Sequence, residues 1–207
     1  STGAAGAQKG LKISTAGVAS TYSLPSNIPC SGGVLAPSGK IYFAPSSALA
    51  TSGLAIDTVG SPFTYSVSYG DMGGGVIDST GTLTLYPQQG SAHPTVVQKI
   101  NTQGTLSTSS LSPLTGMSGF DTGLYNSQGE VHLLGQPSAE ISVAGTPTSY
   151  TLTDSFYIQG GVLSADSNFY LVNYAQVDQP AVFRSILNLS GTPLSLGACL
   201  SPFLNKL

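Results

Sequence analysis

Residues 32–46 read Gly-Gly-Val-Leu-Ala-Pro-Ser-Gly-Lys-Ile-Tyr-Phe-Ala-Pro-Ser. A short apolar run, Val34-Leu35, meets the turn Ala36-Pro37-Ser38-Gly39 and returns through Ile41, Tyr42 and Phe43. The return is rich in β-branched and aromatic residues, which fit a pleated, half-buried surface. Gly39 is free to take the positive φ that closes such a turn. Pro45 has no N–H to give and is expected to end the ladder. The stretch is a β-hairpin.

The hairpin returns three times. Gly75-Val76-Ile77 runs through Asp78-Ser79-Thr80-Gly81 into Leu83-Thr84-Leu85. Gly123-Leu124-Tyr125 runs through Asn126-Ser127-Gln128-Gly129 into Val131-His132-Leu133. Gly161-Val162-Leu163 runs through Ser164-Ala165-Asp166-Ser167 into Phe169-Tyr170-Leu171. From Gly33 to Gly75, Gly123 and Gly161 the steps are 42, 48 and 38 residues. A step near forty residues with four short strands per unit marks a propeller blade.

A second hairpin type alternates with the first. Lys12-Ile13-Ser14-Thr15-Ala16-Gly17 matches Lys99-Ile100-Asn101-Thr102-Gln103-Gly104, and looser copies carry Gly60, Gly145 and Gly191. Each inner–outer pair makes one four-stranded antiparallel meander. The expected organisation is a flexible tail over 1–9 and a single all-β domain over 10–207. Within it, an outer hairpin (10–29) precedes repeats at about 31–70, 71–117, 118–157 and 158–200. The architecture is a small β-propeller or propeller-like ring of four to five blades. The alternative is a linear β-meander fibre or sandwich module. Gly33, Gly75, Gly123 and Gly161 are expected to line a common axis, where a side chain would collide with the neighbouring blade. Gly39, Gly81 and Gly129 are expected at positive φ, with Ser167 in a looser turn. The leftover outer hairpin would complete a blade begun upstream, pair with another subunit, or help close the ring.

Composition narrows the function. Charged residues are 7 % of the chain, against roughly 25 % in ordinary soluble domains. The surface therefore rests on Ser, Thr, Asn, Gln and Gly. Six basic residues in 207 argue against nucleic acid, which requires clustered positive charge. No apolar run reaches the eighteen or so residues of a helical membrane span. The start, without Met, a basic segment or an apolar run, reads as a processed or trimmed end. Low charge and high Ser/Thr suit an extracellular, cell-surface or virion setting.

The inner hairpin, Gly-Val-Leu-x-Pro-x-Gly-Lys-Ile-Tyr in its first copy, resembles the inner-strand motif of the broad β-propeller repeat families, of which kelch is one. The resemblance covers all four repeats and is most complete in the first. The Trp that a kelch blade carries has no counterpart, because the chain contains no Trp. The resemblance implies a scaffold for binding or assembly.

Candidate chemistry is sparse. His93 precedes Pro94 and reads as a loop residue, and His132 reads as a strand-face residue. Neither has partners at metal-ligand spacing, so neither a metal nor another cofactor is expected. No Gly-x-Ser-x-Gly elbow is present, and no catalytic residue is assigned. Asp71 and Asp121 each lie in the approach to an inner-strand glycine, where inter-repeat loops gather on one face. Paired carboxylates there suit sugar hydroxyls or Ca²⁺, and with Asn126 and Tyr157 they form the candidate binding set. The alternative for the aspartates is capping of turn backbone. Ten tyrosines supply either a binding surface or sheet packing. Asn188-Leu189-Ser190 is a glycosylation sequon. Cys30 and Cys199 occupy similar places in the first and last units, and a disulfide between them would tie a ring shut. The expected function is that of a non-enzymatic structural or attachment protein, working as an oligomer or assembly with other subunits. The alternative is a carbohydrate-binding lectin.

Overall fold

One turn design recurs through the chain and sets the strand pairs. In the turns closed by Gly17, Gly39, Gly60, Gly81, Gly104, Gly129 and Gly145, the glycine N–H donates to the carbonyl three residues earlier. All seven glycines have positive φ, between 77° and 92°. That conformation follows a type I turn in a hairpin and suits glycine, which has no Cβ to clash. Four of the turns open with Asp57, Asp78, Asn101 or Asn126. Each side-chain oxygen accepts from the backbone N–H groups two and four residues on. The local sequence thus fixes where each hairpin folds back.

The computed structural model describes residues 9–25, 28–112, 114, 116–126, 128–135 and 137–150, and beyond 150 the backbone of the strands given below. All regular structure among the described residues is β, and no helix is long and apolar enough to cross a membrane. β1 (Lys9–Ile13) and β2 (Ala19–Ser23) form a two-stranded hairpin. β3 (Cys30–Leu35), β4 (Ile41–Pro45), β5 (Ser52–Ile56) and β6 (Pro62–Ser66) form the first antiparallel blade. The second comprises β7 (Met72–Ile77), β8 (Leu83–Pro87), β9 (Val96–Ile100) and β10 (Leu106–Ser110). The third comprises β11 (Phe120–Tyr125), β12 (Val131–Gly135), β13 (Ser138–Ile141) and β14 (Pro147–Tyr150). The fourth comprises β15 (Ile158–Leu163), β16 (Phe169–Asn173), β17 (Phe183–Leu187) and β18 (Pro193–Leu194). Every strand in a blade pairs with its neighbour in sequence. Each blade thus joins one inner hairpin to the outer hairpin after it.

Two local expectations are corrected. Pro45 does not end its ladder but lies in β4, paired opposite Cys30. It is tolerated because the partner on the other side, β5, pairs with β4 only at Ile41, Tyr42 and Phe43. Cys30 accordingly begins the first inner strand instead of preceding it. The pairing register skips between Cys30 and Gly33, and the same irregularity opens β7, β11 and β15. A bulge at this place bends each inner strand as it enters its blade.

The inner strands pack in succession, β3 on β7, β7 on β11 and β11 on β15. The core lies between the blades. Ala44, Ala55 and Tyr65 of the first blade enclose Leu83, Leu85 and Ile100 of the second. Val76, Tyr86 and Val97 of the second enclose Val131, Leu133 and Ile141 of the third. The long step between the second and third inner hairpins falls in the linker after β10, where Leu111 and Met117 enter that second cluster. Anchor glycines mark the close approaches. A Cβ on Gly123 would sit 2.5 Å from Val76 Cγ2 and 2.9 Å from Tyr86 Cε1. A Cβ on Gly75 would sit 2.8 Å from Leu83 Cδ1 of its own blade and 3.5 Å, ordinary contact, from Val34 Cγ1 of the blade before. Gly33 is crowded by the Phe43 ring of its own blade and not, as expected, by a neighbouring blade, and Gly161 lies on β15 opposite Leu171. Ser167 lies outside the described residues.

Gly123→Ala is expected to destabilise the fold by about 1–3 kcal/mol, because Val76 is stiff at χ1 and the Tyr86 ring is packed. Gly145→Ala, with open space around its Cβ position but a φ of 82°, tests backbone strain alone and should cost about 1 kcal/mol. Denaturant midpoints of the two variants check both values.

Candidate functional site

The inner strands begin, and the second strands end, at one end of the blades. The inter-blade linkers and the loop between β8 and β9 meet there, and this linker face carries the principal polar cluster. Asp71 is the one non-glycine described residue with positive φ, at 65°. Aspartate tolerates this region better than most residues. Its carbonyl accepts from Gln88 N at 3.1 Å, and its carboxylate Oδ1 accepts from Gln88 Nε2. The next residue, Gln89, donates from Nε2 to Asp121 Oδ2 at 3.2 Å. Two carboxylates from successive blades therefore meet on adjacent glutamines of one loop. The loop is threaded tightly: Gly90 N donates to Ser118 O at 2.6 Å, and a Cβ on Gly119 would lie 1.9 Å from Gln88 O.

Gln98 anchors the neighbouring linker from below. It is fully buried in β9, yet its side chain is satisfied on both ends. Oε1 accepts from Ser68 N at 2.6 Å and Tyr69 N at 3.2 Å. Nε2 donates to Tyr69 O at 2.6 Å and lies 3.4 Å from Met72 Sδ. Tyr69, held by these bonds, stacks on exposed His93 with ring centroids 4.0 Å apart and planes 32° apart. The face thus offers carboxylate acceptors, amide groups and an aromatic platform, all pinned from beneath.

The structure brings Asp71 and Asp121 together and separates Asn126 from them. Asn126 is fully buried at the opposite, hairpin end of its blade. Its Oδ1 caps the turn, and its Nδ2 donates to Glu130 Oε2 at 2.7 Å and lies 3.2 Å from His132 Nε2. It is a turn-forming residue, not part of an exposed site. Tyr157 and Cys199 lie outside the described residues. Among the described residues Cys30 has no disulfide partner; its exposed Sγ donates to Ile28 O at 3.3 Å, and partial burial pushes its pKa up. Among the described residues no group of three or more His, Cys, Asp or Glu side chains could hold a metal. Gln88, Gln89 and Gln98 were not singled out from the sequence. For Gln98 a signal existed: a lone glutamine inside Val96-Val97-Gln98-Lys99-Ile100 is a buried polar residue in need of a partner.

His132 forms a second polar cluster, inside the third blade. It is fully buried, opposite Glu140 across the β12–β13 ladder, with Tyr150 Oη 3.5 Å from Nδ1. Donation by Asn126 requires Nε2 to be the unprotonated nitrogen, which suits a neutral ring. Burial holds the His132 pKa below its ordinary value of 6.5, opposed by the Glu130 charge. Burial also raises Glu140, with Glu130 adding to the effect.

No family model matches the chain, and no curated protein matches it by sequence. Solved structures do match. Virginiamycin B lyase from Staphylococcus aureus superposes with a TM-score of 0.72 at 15 % identity, over 95 % of this chain and 64 % of that one. A catalytically inactive form of the same lyase with quinupristin gives 0.70 at 15 % identity, over 92 % and 63 %. A protein from Lactobacillus plantarum gives 0.62 at 15 % identity, over 92 % and 64 %. The chain therefore spans under two thirds of the length of these structures. At such identities the likeness shows the fold alone: an all-β chain of four-stranded antiparallel sheets resembling propeller blades, matching β-propeller structures over most of its length.

Two measurements probe these clusters. Gln98→Leu leaves two linker N–H groups and a carbonyl without their side-chain partner and should cost about 2–4 kcal/mol, read as a shifted denaturant midpoint. His132 gives the second. Below its ordinary pKa of 6.5 the unfolded chain takes a proton that the native ring resists. Stability present above that pH is therefore lost as pH falls toward the lower native pKa. Glu140, raised in the native state, acts in the opposite sense, and it is common to the wild type and a His132 variant. Unfolding midpoints at pH 7.5 and 5.5 should thus fall more for the wild type than for His132→Gln.

Proposed function

We propose that this chain is a non-enzymatic scaffold of a virion or cell surface, working by attachment, with the linker face as its contact surface. Other structural subunits are its partners. The observation that carries this reading is the cross-blade row Asp71–Gln88–Gln89–Asp121. Its side chains are bonded to one another and to rigid linkers, so little freedom is lost on contact. A chain with 7 % charged residues leaves recognition to amides, hydroxyls and aromatic rings. The kelch-like form of the inner hairpins fits an assembly role.

A carbohydrate partner is the second reading, favoured by the Tyr69–His93 stack beside Asp71. An aromatic face next to planar carboxylate and amide groups suits a sugar ring and its hydroxyls.

Cell-surface binding before and after glycosidase treatment separates the two. Attachment through protein predicts saturable binding that survives the treatment and weakens at least tenfold in a Gln89→Ala, Asp121→Ala double variant. Loss of binding on treatment, with saturable binding to a glycan array, moves the reading to a lectin. Turnover of quinupristin, the molecule bound to the lyase of the same fold, would overturn the non-enzymatic reading.

A further inference from the structure

The turn glycines give the first four outer hairpins a common ruler. Four residues before Gly17, Gly60, Gly104 and Gly145 stands an isoleucine: Ile13, Ile56, Ile100 and Ile141. Chemistry and local geometry are the same, but burial is not. Ile100 and Ile141 are 3 % and 2 % exposed, Ile56 is half-buried, and Ile13 is 65 % exposed. The inner hairpins follow suit. Leu83 and Leu85 in β8, and Val131 and Leu133 in β12, are buried by the blade before them. Their counterparts in β4, Ile41 and Phe43, are only half-buried. What precedes β4 is the two-stranded hairpin β1–β2. A cleft of about 400 Å³ lies between them, lined by Leu11, Lys12 and Tyr22 on one side and Ile41, Phe43 and Ile56 on the other.

The hairpin has the build of an outer half-blade. Tyr22 lies across Gly10 as Tyr65 lies across Gly53, each pair facing in register and each at the same offset from its turn glycine. β1 therefore holds the place of β5, β9 and β13, each of which pairs on its other side with a second inner strand. Among the described residues β1 pairs only with β2.

We propose that the free edge of β1 is a docking site for one further inner β-hairpin of this repeat type. The chain shows three times what covers such a face. The register follows from β8 on β9, where Leu83, Thr84 and Leu85 face Ile100, Lys99 and Gln98. The incoming strand therefore lies along Ile13, Lys12 and Leu11. Its partner strand brings a valine at the place of Val34 and Val76, next to an anchor glycine, to cover Ile41 and Phe43. The hydroxyl of Tyr22 then meets a carbonyl of the incoming strand, as Tyr65 donates to Phe43 O at 2.8 Å. A second copy of this chain fits poorly. Two antiparallel β1 edges are related by a two-fold axis normal to the sheet, which puts both copies' β4 strands on the same face of the joint sheet.

The test inserts a copy of Met72–Thr95, an inner hairpin with its own following loop, between Gln8 and Lys9 of the full chain. Hydrogen exchange over residues 10–14 and 41–43 should slow at least tenfold relative to a chain carrying the same insert in scrambled order. Equal exchange in the two chains overturns the proposal. Should the insert impair folding, a cyclised Met72–Pro87 peptide added at millimolar concentration to the unmodified chain must slow the same two segments, and failure there overturns it equally. Protection of residues 10–14 that rises with the concentration of the unmodified chain alone assigns the edge to a second copy instead, and also overturns it.

Discussion

The third inner strand runs so close to the second blade at Gly123 that no side chain fits where they pass. At Gly123 the neighbouring blade's Val76 and Tyr86 already fill the volume that a methyl group would need. The rest of the architecture depends on this approach. Strands that nearly touch at their inner edge and twist as they go outward leave wedge-shaped gaps between sheets. The apolar residues of each blade then fill the gap to the next. That is why the buried clusters of this chain sit between blades, with Leu85 and Leu133 at full burial.

Packing between faces does not fix the ends of the blades, and polar staples do that work. Gln98 holds the linker before the second inner strand through three bonds to backbone, and Gln88 and Gln89 tie that linker to the next. A buried amide such as Gln98 is favourable only when every group finds a partner, because the penalty for an unmade bond exceeds the gain from a made one. At Gln98 the requirement is met with a neutral side chain and backbone groups alone. The same staples give the linker face its rigidity, so stability and any recognition there draw on one set of residues.

The repeat also shows what neighbours contribute. Ile100 and Ile13 occupy the same place in the same kind of hairpin, and only Ile100 has a full blade beside it. Local sequence makes each hairpin; burial, and most of its stabilisation, comes from the blade that precedes it.

By itself the sequence determined the turns, the strand alternation and the pairing of inner with outer hairpins. Those features depend on contacts a few residues apart: a glycine at positive φ, an aspartate or asparagine capping the turn it opens, an apolar run on either side. It also located Asp71 and Asp121, because an aspartate entering a glycine-anchored strand must lie where the linkers gather. Only the tertiary structure decided that both meet one glutamine pair, that Asn126 is buried in its own turn, and that Gln98 is a staple. Asn126 and Asp71 look alike as polar residues in loops beside glycine-rich strands. They differ because one lies at the end of the blade where its turn folds inward over His132, and the other at the end where linkers cross. The partners that decide this, Gln88 for Asp71, Gln89 for Asp121 and His132 for Asn126, are set by how strands and linkers come together, and no local pattern records them.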